Sequence, residues 1–294
     1  MNTKSEGQRV DVDRWVEQAP TENEGDFRKA VHIILHTLAT TTPSGCRFAL
    51  KGGILLAIRY EGSRFTTDVD FSTSDTYSQT HVDNLLDRLN SEIPLVIENL
   101  GYGIACRIQG HKVHPRPDQE ERDFFTLQIR LGFARQGSTQ HQKLLAGRAS
   151  RIIKVDYSFY ERMPNLEVLE LGNNLLLPAY SIHDLAAEKI RALIQQVTRY
   201  RTRRQDAFDL YGLLRRGHLQ ETQDREVVLA SLIEKAASRG LRISRQTIDS
   251  PEIRNRSARE YGELQAEISG ELPEFEDVFD VVQSFYRSLP WPDE

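Results

Sequence analysis

The periodicities of this chain predict an α+β fold. Two segments alternate with the period of a strand, Phe124 to Ala134 and Arg151 to Phe159. The segment FRKAVHIILHTLAT places apolar residues at 27, 30, 31, 34 and 35, the spacing of one helix face, and nearly everything after residue 218 reads as helix. A sheet-bearing part at 1–165 and a helical lobe at 178–294 are expected, joined by a connector from Pro164 to Pro178.

The whole-chain properties narrow the class. A chain of 294 residues can bury one large core or two medium ones. It is 39% hydrophobic and 28% charged, with a net charge of −5. No apolar run approaches the ~20 residues that span a bilayer, so no membrane association is expected. The polar start MNTKSEGQRVDVDRW carries no apolar signal core. Two cysteines, Cys46 and Cys106, make neither a disulfide framework nor a zinc site, and a cytoplasmic protein is expected.

In chain order, residues 1–24 read as a loose arm with one short turn. The helix after Asp26 follows, then a loop from Thr41 to Gly45. His32 and His36 lie four apart on that helix, without the glutamate of a metalloprotease motif, and read as polar tips. A short strand, Phe48 to Leu50, stops at Gly52-Gly53; Ile54 to Tyr60 reads as two helical turns, ended by Glu61-Gly62-Ser63. In the next strand Val69 and Phe71 alternate with Asp68 and Asp70. A helix from Val82 to Glu92, closed by Pro94, precedes a strand from Gly103 to Gln109 and a loop, HKVHPRPDQEERD, whose His111 and His114 read as solvated. After the 124–134 strand, Gly137 to Gly147 reads as a polar crossing. Ser181 starts a helix running to about Thr198, a basic loop follows at 199–204, and a further helix begins at Gln205. Helices are expected at Glu226 to Ser238, Glu252 to Ser269 and Glu276 to Leu289.

The chemistry concentrates between Phe48 and Ser72, FALKGGILLAIRYEGSRFTTDVDFS. A Gly-Gly pair between strand and helix lets backbone N–H groups approach an anion, typically a phosphate. Asp68 and Asp70, two apart on a strand, share a face. Two carboxylates so close are unfavourable unless a divalent cation lies between them, and hard oxygen donors suit magnesium. A phosphate cradle beside such a site suggests phosphoryl or nucleotidyl transfer. Arg199, Arg201, Arg203 and Arg204, with Tyr200 interleaved, form a basic cluster that fits either a solvated helix end or an RNA-binding patch. Asp156, mid-strand, fits a surface position on an edge strand. Lys189 falls at the margin of the apolar stripe of its helix, where its stem either snorkels or meets an incoming triphosphate.

The order KGG (Lys51, Gly52, Gly53), Arg64, then Thr67-Asp68-Val69-Asp70-Phe71 resembles the signature of the DNA polymerase β-like nucleotidyltransferase superfamily, and more narrowly the AbiEii/AbiGii-type toxin nucleotidyltransferases. A second block, AEK at 187–189 followed by an arginine-rich turn and Asp206-Ala207-Phe208-Asp209-Leu210, resembles the other signature of these toxins; Gln205 stands where the family usually has arginine. The resemblance implies a mixed twisted sheet with flanking helices, followed by a helical C-terminal lobe, with the active site in the cleft between the two. It implies a third metal-holding carboxylate, Asp156, joining Asp68 and Asp70. It makes Lys51, Gly52, Gly53, Arg64, Lys189, Asp206 and Asp209 nucleotide-site residues, with Lys189 also catalytic. The implied reaction is two-metal, magnesium-dependent transfer of NMP from an NTP onto RNA, with a tRNA 3′ end as leading acceptor. Translation would be blocked, and a cognate antitoxin would restrain the toxin. A protein or small-molecule acceptor, or a non-catalytic RNA-binding role, are the alternatives.

Overall fold

The computed structural model describes residues 8–41, 48–116, 124–172 and 174–292. Cys46, the expected loop at 42–45 and the loop residues 117–123 lie outside them. The order of elements is β1 (Gln8–Arg9), α1 (Val12–Glu17), α2 (Glu22–Thr41), β2 (Phe48–Lys51), α3 (Gly52–Arg59), β3 (Asp68–Thr73), α4 (Gln79–Leu100), β4 (Ile104–His114), β5 (Thr126–Arg135), α5 (Thr139–Leu145), β6 (Ile152–Ser158), β7 (Leu166–Glu170), β8 (Leu176–Tyr180), α6 (Ile182–Arg199), α7 (Arg204–Arg215), α8 (Thr222–Ala237), α9 (Pro251–Ala258) and α10 (Phe275–Arg287). Two compact units result. One comprises Met1–Ile58, Thr67–Glu161 and Glu167–Ala179; the other comprises Arg59–Thr66, Arg162–Leu166 and Tyr180–Glu294.

The first unit is built on a mixed sheet of eight strands in the order β1-β7-β8-β2-β3-β6-β5-β4. Strand alternation decides its faces. Val69 and Phe71 of β3, Ile153, Val155 and Tyr157 of β6, and Leu127, Ile129 and Leu131 of β5 are all buried. Helices α2 and α4 pack on that face: Ile34, Leu38, Leu89 and Ile93 surround the same small space as Ile129, Leu131 and Val155. The opposite face receives Asp68, Asp70, Asp156, Gln128 and their neighbours two residues away, because side chains on a strand alternate strictly.

Several local expectations change. Pro94 does not end its helix; α4 continues to Leu100 and ends at Gly101 in the left-handed conformation (φ 63°). A mid-helix proline costs ~3 kcal/mol, but Ile93 and Val96 carry the apolar stripe past it into the core. Strand β4 runs on to His114, because Val113 and His114 pair with Leu127 and Thr126, so His111 and His114 are strand residues. The crossing after Gly137 holds a short helix, α5, capped by Ser138. The 164–178 connector contributes β7 and β8 to the sheet. The arm before Glu22 contains β1 and α1, with Asp11 capping the helix.

The second unit is helical and closes around Ile190, Leu193, Leu210, Val228, Leu232, Val278 and Tyr286. Ser181 caps α6 as expected, its hydroxyl accepting from the Asp184 amide. The single helix expected from Glu252 to Ser269 is broken. Residue Glu260 adopts φ 58° between α9 and a 3-10 turn at Tyr261–Ala266, and the turn buries Tyr261 and Leu264 in the core.

Candidate active site

The acid set sits on internal strands. β3 and β6 run parallel with Asp70 directly beside Asp156 and Asp68 beside Lys154. β5 continues the row on the other side of β6, with Gln128 opposite Asp156, and β2 continues it beyond β3, with Lys51 opposite Asp70. One row across four strands therefore reads Lys51, Asp70, Asp156, Gln128. Neighbouring strands lie about 4.8 Å apart, so Asp70 and Asp156 present carboxylates side by side. Asp156 is not on an edge strand, which removes the bland explanation for an acid at that position. Its Oδ1 accepts a hydrogen bond from Gln128 Nε2 at 3.0 Å. Lys51 Nζ lies 4.0 Å from Glu161 Oε1.

Glycine at 52 is a steric requirement here. Gly52 has φ 75°, and a Cβ at this position would fall 2.3 Å from Asp70 Oδ2. The glycine thus lets the first turn of α3 lie directly against the carboxylate, in a conformation that costs other residues 1–3 kcal/mol. Among the described residues, no group of three or more His, Cys, Asp or Glu side chains forms a ready-made metal cage. The donor chemistry still suits a magnesium ion. Three carboxylates share one sheet face, and their oxygens are the hard ligands this ion takes.

The second signature block forms a different structure, wholly within the helical unit. Lys189 Nζ donates to Asp209 Oδ2 at 2.7 Å and to Asp206 Oδ1 at 3.2 Å. Arg64 grips the same Asp209 with both arms of its guanidinium, Nε to Oδ1 and Nη2 to Oδ2, each at 3.1 Å, and reaches Glu267 at 3.3 Å. Asp209 and Lys189 are buried. Burial alone would push the Lys189 pKa down, but Asp209 and Asp206 carry it above its ordinary value against the opposing charge of Arg64. Burial alone would raise Asp209, and Lys189 and Arg64 outweigh it, holding the carboxyl below the usual range. The main-chain bridge between Arg64 and Ile268 fixes the arginine in place.

The basic loop is partly committed. Arg204 pairs with Glu260 at 2.9 Å and Glu263 at 2.8 Å, and Arg203 lies 3.6 Å from Asp206. Arg199 and Arg201 are exposed. Lost hydration, then the charges of Arg239, Arg191, Arg201 and Arg203, hold the Arg199 pKa below its ordinary value. Tyr200 is 83% exposed, with the Arg256 guanidinium over its ring. His32 is taken up by a contact to the Tyr102 hydroxyl at 2.7 Å, and burial lowers its pKa to about 4.

Sequence reasoning passed over Gln128, Glu161 and Glu267. Gln128 had a signal, since it falls on the polar face of its strand; the partner strand was the missing information.

A search of curated proteins finds no match. Among solved structures, MenT4, a nucleotidyltransferase toxin from Mycobacterium tuberculosis H37Rv, superposes with a TM-score of 0.56 at 16% identity, over 94% of this chain and 87% of that one. JHP933 from Helicobacter pylori gives 0.51 at 16% identity over 92% of both chains. At such identities the likeness speaks for the fold. The family profile described as nucleotidyl transferase AbiEii toxin, type IV TA system, matches residues 34–281. With that match over most of its length, the chain belongs to the AbiEii nucleotidyltransferase toxins of type IV toxin–antitoxin systems.

Proposed function

We propose that this toxin transfers NMP from an NTP onto RNA, with a tRNA 3′ end as the leading acceptor, so that translation stops until a cognate antitoxin restrains it. The cytoplasm, where NTPs and tRNA meet, is its proposed place of action. One observation carries the reading: Asp70 and Asp156 stand side by side on adjacent parallel strands, with Asp68 two residues along and Gly52 pressed against Asp70.

In this reading Asp68, Asp70 and Asp156 would hold magnesium. Bound there, divalent metal neutralises charge on the attacking and leaving oxygens of an in-line displacement. The chain's own groups do the rest. Gly52 and Gly53 offer backbone N–H groups at the start of α3 to the triphosphate, and Lys51 adds a cation on the acid row. Gln128 orients Asp156 through Oδ1, which leaves Oδ2 to take the proton of the acceptor hydroxyl. Lys189 and Arg64, expected as nucleotide-site residues, have their cationic heads on Asp209. That supports a positioning role for both, with Asp206 and Asp209 as their anchors.

The test is to incubate the purified protein with each labelled NTP, magnesium and total RNA, and to resolve the products on a gel. Label on RNA, lost with Asp70→Ala, is the expected result. Label on protein alone, or on nothing with any NTP, would overturn the RNA assignment.

A further inference from the structure

We infer that the open sheet face beside the acid row is the docking track for the phosphate backbone of a nucleic-acid acceptor, with Lys112, Arg130 and Lys154 as its contacts. This rests on the nucleotidyltransferase reading of the acid row, and it places acceptor binding on the sheet, apart from the 199–204 loop.

Strand register fixes the arrangement. Lys154 lies two residues from Asp156, on the same face, and directly beside Asp68. Arg130 is opposite Lys154 on β5. Lys112 is opposite Gln128 on β4, which extends the acid row by one strand. At about 4.8 Å per strand, Lys112 begins about 14 Å from Asp70. The strip is closed at one end. Past Arg130 the face is covered by α5 and the residues after it, where a Cβ on Gly132 would meet Ala149 Cβ at 2.5 Å and Leu144 Cδ1 at 2.7 Å.

The strip gathers three cations on one sheet face. All three cations are exposed, and among the described residues none of them pairs with a carboxylate. Several arginines elsewhere do find acids: Arg28 with Glu24, Arg135 with Asp26, Arg254 with Glu276 and Asp280. A chain of net charge −5 has acids to spare. Yet Arg130 and Lys154 face each other directly across an antiparallel pair, where like charges are destabilising. An anion docked on this face would add to the relief that Asp68, beside Lys154, supplies. The placement also answers a problem that the acid row creates, because an RNA hydroxyl must approach three carboxylates that repel its phosphates. Cations on the adjoining strands offset that repulsion over the last ångströms of approach and steer the encounter.

Binding of a fluorescein-labelled single-stranded oligoribonucleotide, read by anisotropy over a range of salt without NTP, tests the track independently of chemistry. Full-length K112Q/R130Q/K154Q is compared with wild type and with R199Q/R201Q, after melting curves confirm that each is folded. The track predicts at least tenfold weaker binding for the triple variant at low salt and a log–log salt slope shallower by about 2, as for three lost single-strand phosphate contacts. R130K should retain most of the affinity. In the transfer assay the KM for RNA should rise while the KM for NTP stays put. An unchanged slope in the triple variant, loss confined to R199Q/R201Q, or no RNA binding by wild type would each overturn it. Wild-type protein that binds RNA through these residues but transfers no nucleotide would keep the track and defeat the proposed reaction.

Discussion

The acid row of the sheet and the Lys189 cluster of the helical unit are built from the same materials, carboxylates and cations, but to opposite ends. Around Asp209 every charge is answered: Lys189 and Arg64 converge on one carboxylate, Asp206 takes the rest of the ammonium, and the group is buried. On the sheet, Asp70 and Asp156 lie beside each other with like charge, and Arg130 and Lys154 do the same one row away. A buried network that satisfies itself specifies a conformation, and removing one member strands the others. A half-buried row that sets like charges side by side on one sheet face suits ions and ligands. The residue types do not distinguish the two; burial and strand register do.

Substitutions can break that contrast. The largest effect is expected from Asp70→Ala or Asp68→Ala. Nucleotide transfer should fall at least about a thousandfold, roughly 4 kcal/mol of transition-state stabilisation, while the melting temperature barely changes. A loss of only about tenfold would count against the metal-holding role.

The closed cluster should respond the other way. Asp209→Ala leaves two buried cations without their shared partner and should cost about 3–5 kcal/mol of stability. Lys189→Met should cost less, about 1–3 kcal/mol, because Arg64 still grips Asp209 and methionine keeps the packing of the stem. Denaturant melts of both variants check the order. If Lys189→Met proves silent in stability and abolishes NTP use, Lys189 is a clamp after all.

Gly52→Ala tests the join between backbone and acid. The added methyl must displace the Asp70 carboxylate or the turn, and φ 75° is strained for alanine. Stability should drop by about 1–2 kcal/mol, and transfer should drop further than that strain accounts for. Wild-type transfer rates in a folded Gly52→Ala protein would contradict the close approach.

The smallest expected effect is an absence of pH response. Asp209 has a lowered folded pKa, so its stabilisation is present above the ordinary carboxylate value of 3.8 and is lost as pH falls through its lowered value. Lys189 has a raised one, so its share is present below 10.5 and is lost as pH rises through the raised value. Between about pH 5 and 8 both are fully charged. The stability difference between wild type and Asp209→Asn should therefore be flat across that window. A slope there would mean that the cluster titrates and is more open than its geometry.

What the sequence determined by itself was local. The alternation of Val69 and Phe71 with Asp68 and Asp70 requires no partner to put the acids on one face, because strand geometry allows nothing else. The Ser181 cap, the apolar stripes of α2 and α6 and the faces of β5 and β6 were legible for the same reason, and the two signature blocks pointed to the family. Tertiary structure decided what each charged side chain would meet. Arg64 and Asp209 are 145 residues apart, and Lys189 and Asp209 are 20 apart with a turn between them. Asp156 joins Asp70 only because β6 slots between β3 and β5. Pro94 stays helical, and 166–180 enters the sheet, because burial at those places outweighs the local preference to stop. Local pattern follows from backbone geometry within a few residues. The partner of a charge depends on which distant segments the core brings together, and no periodicity encodes that.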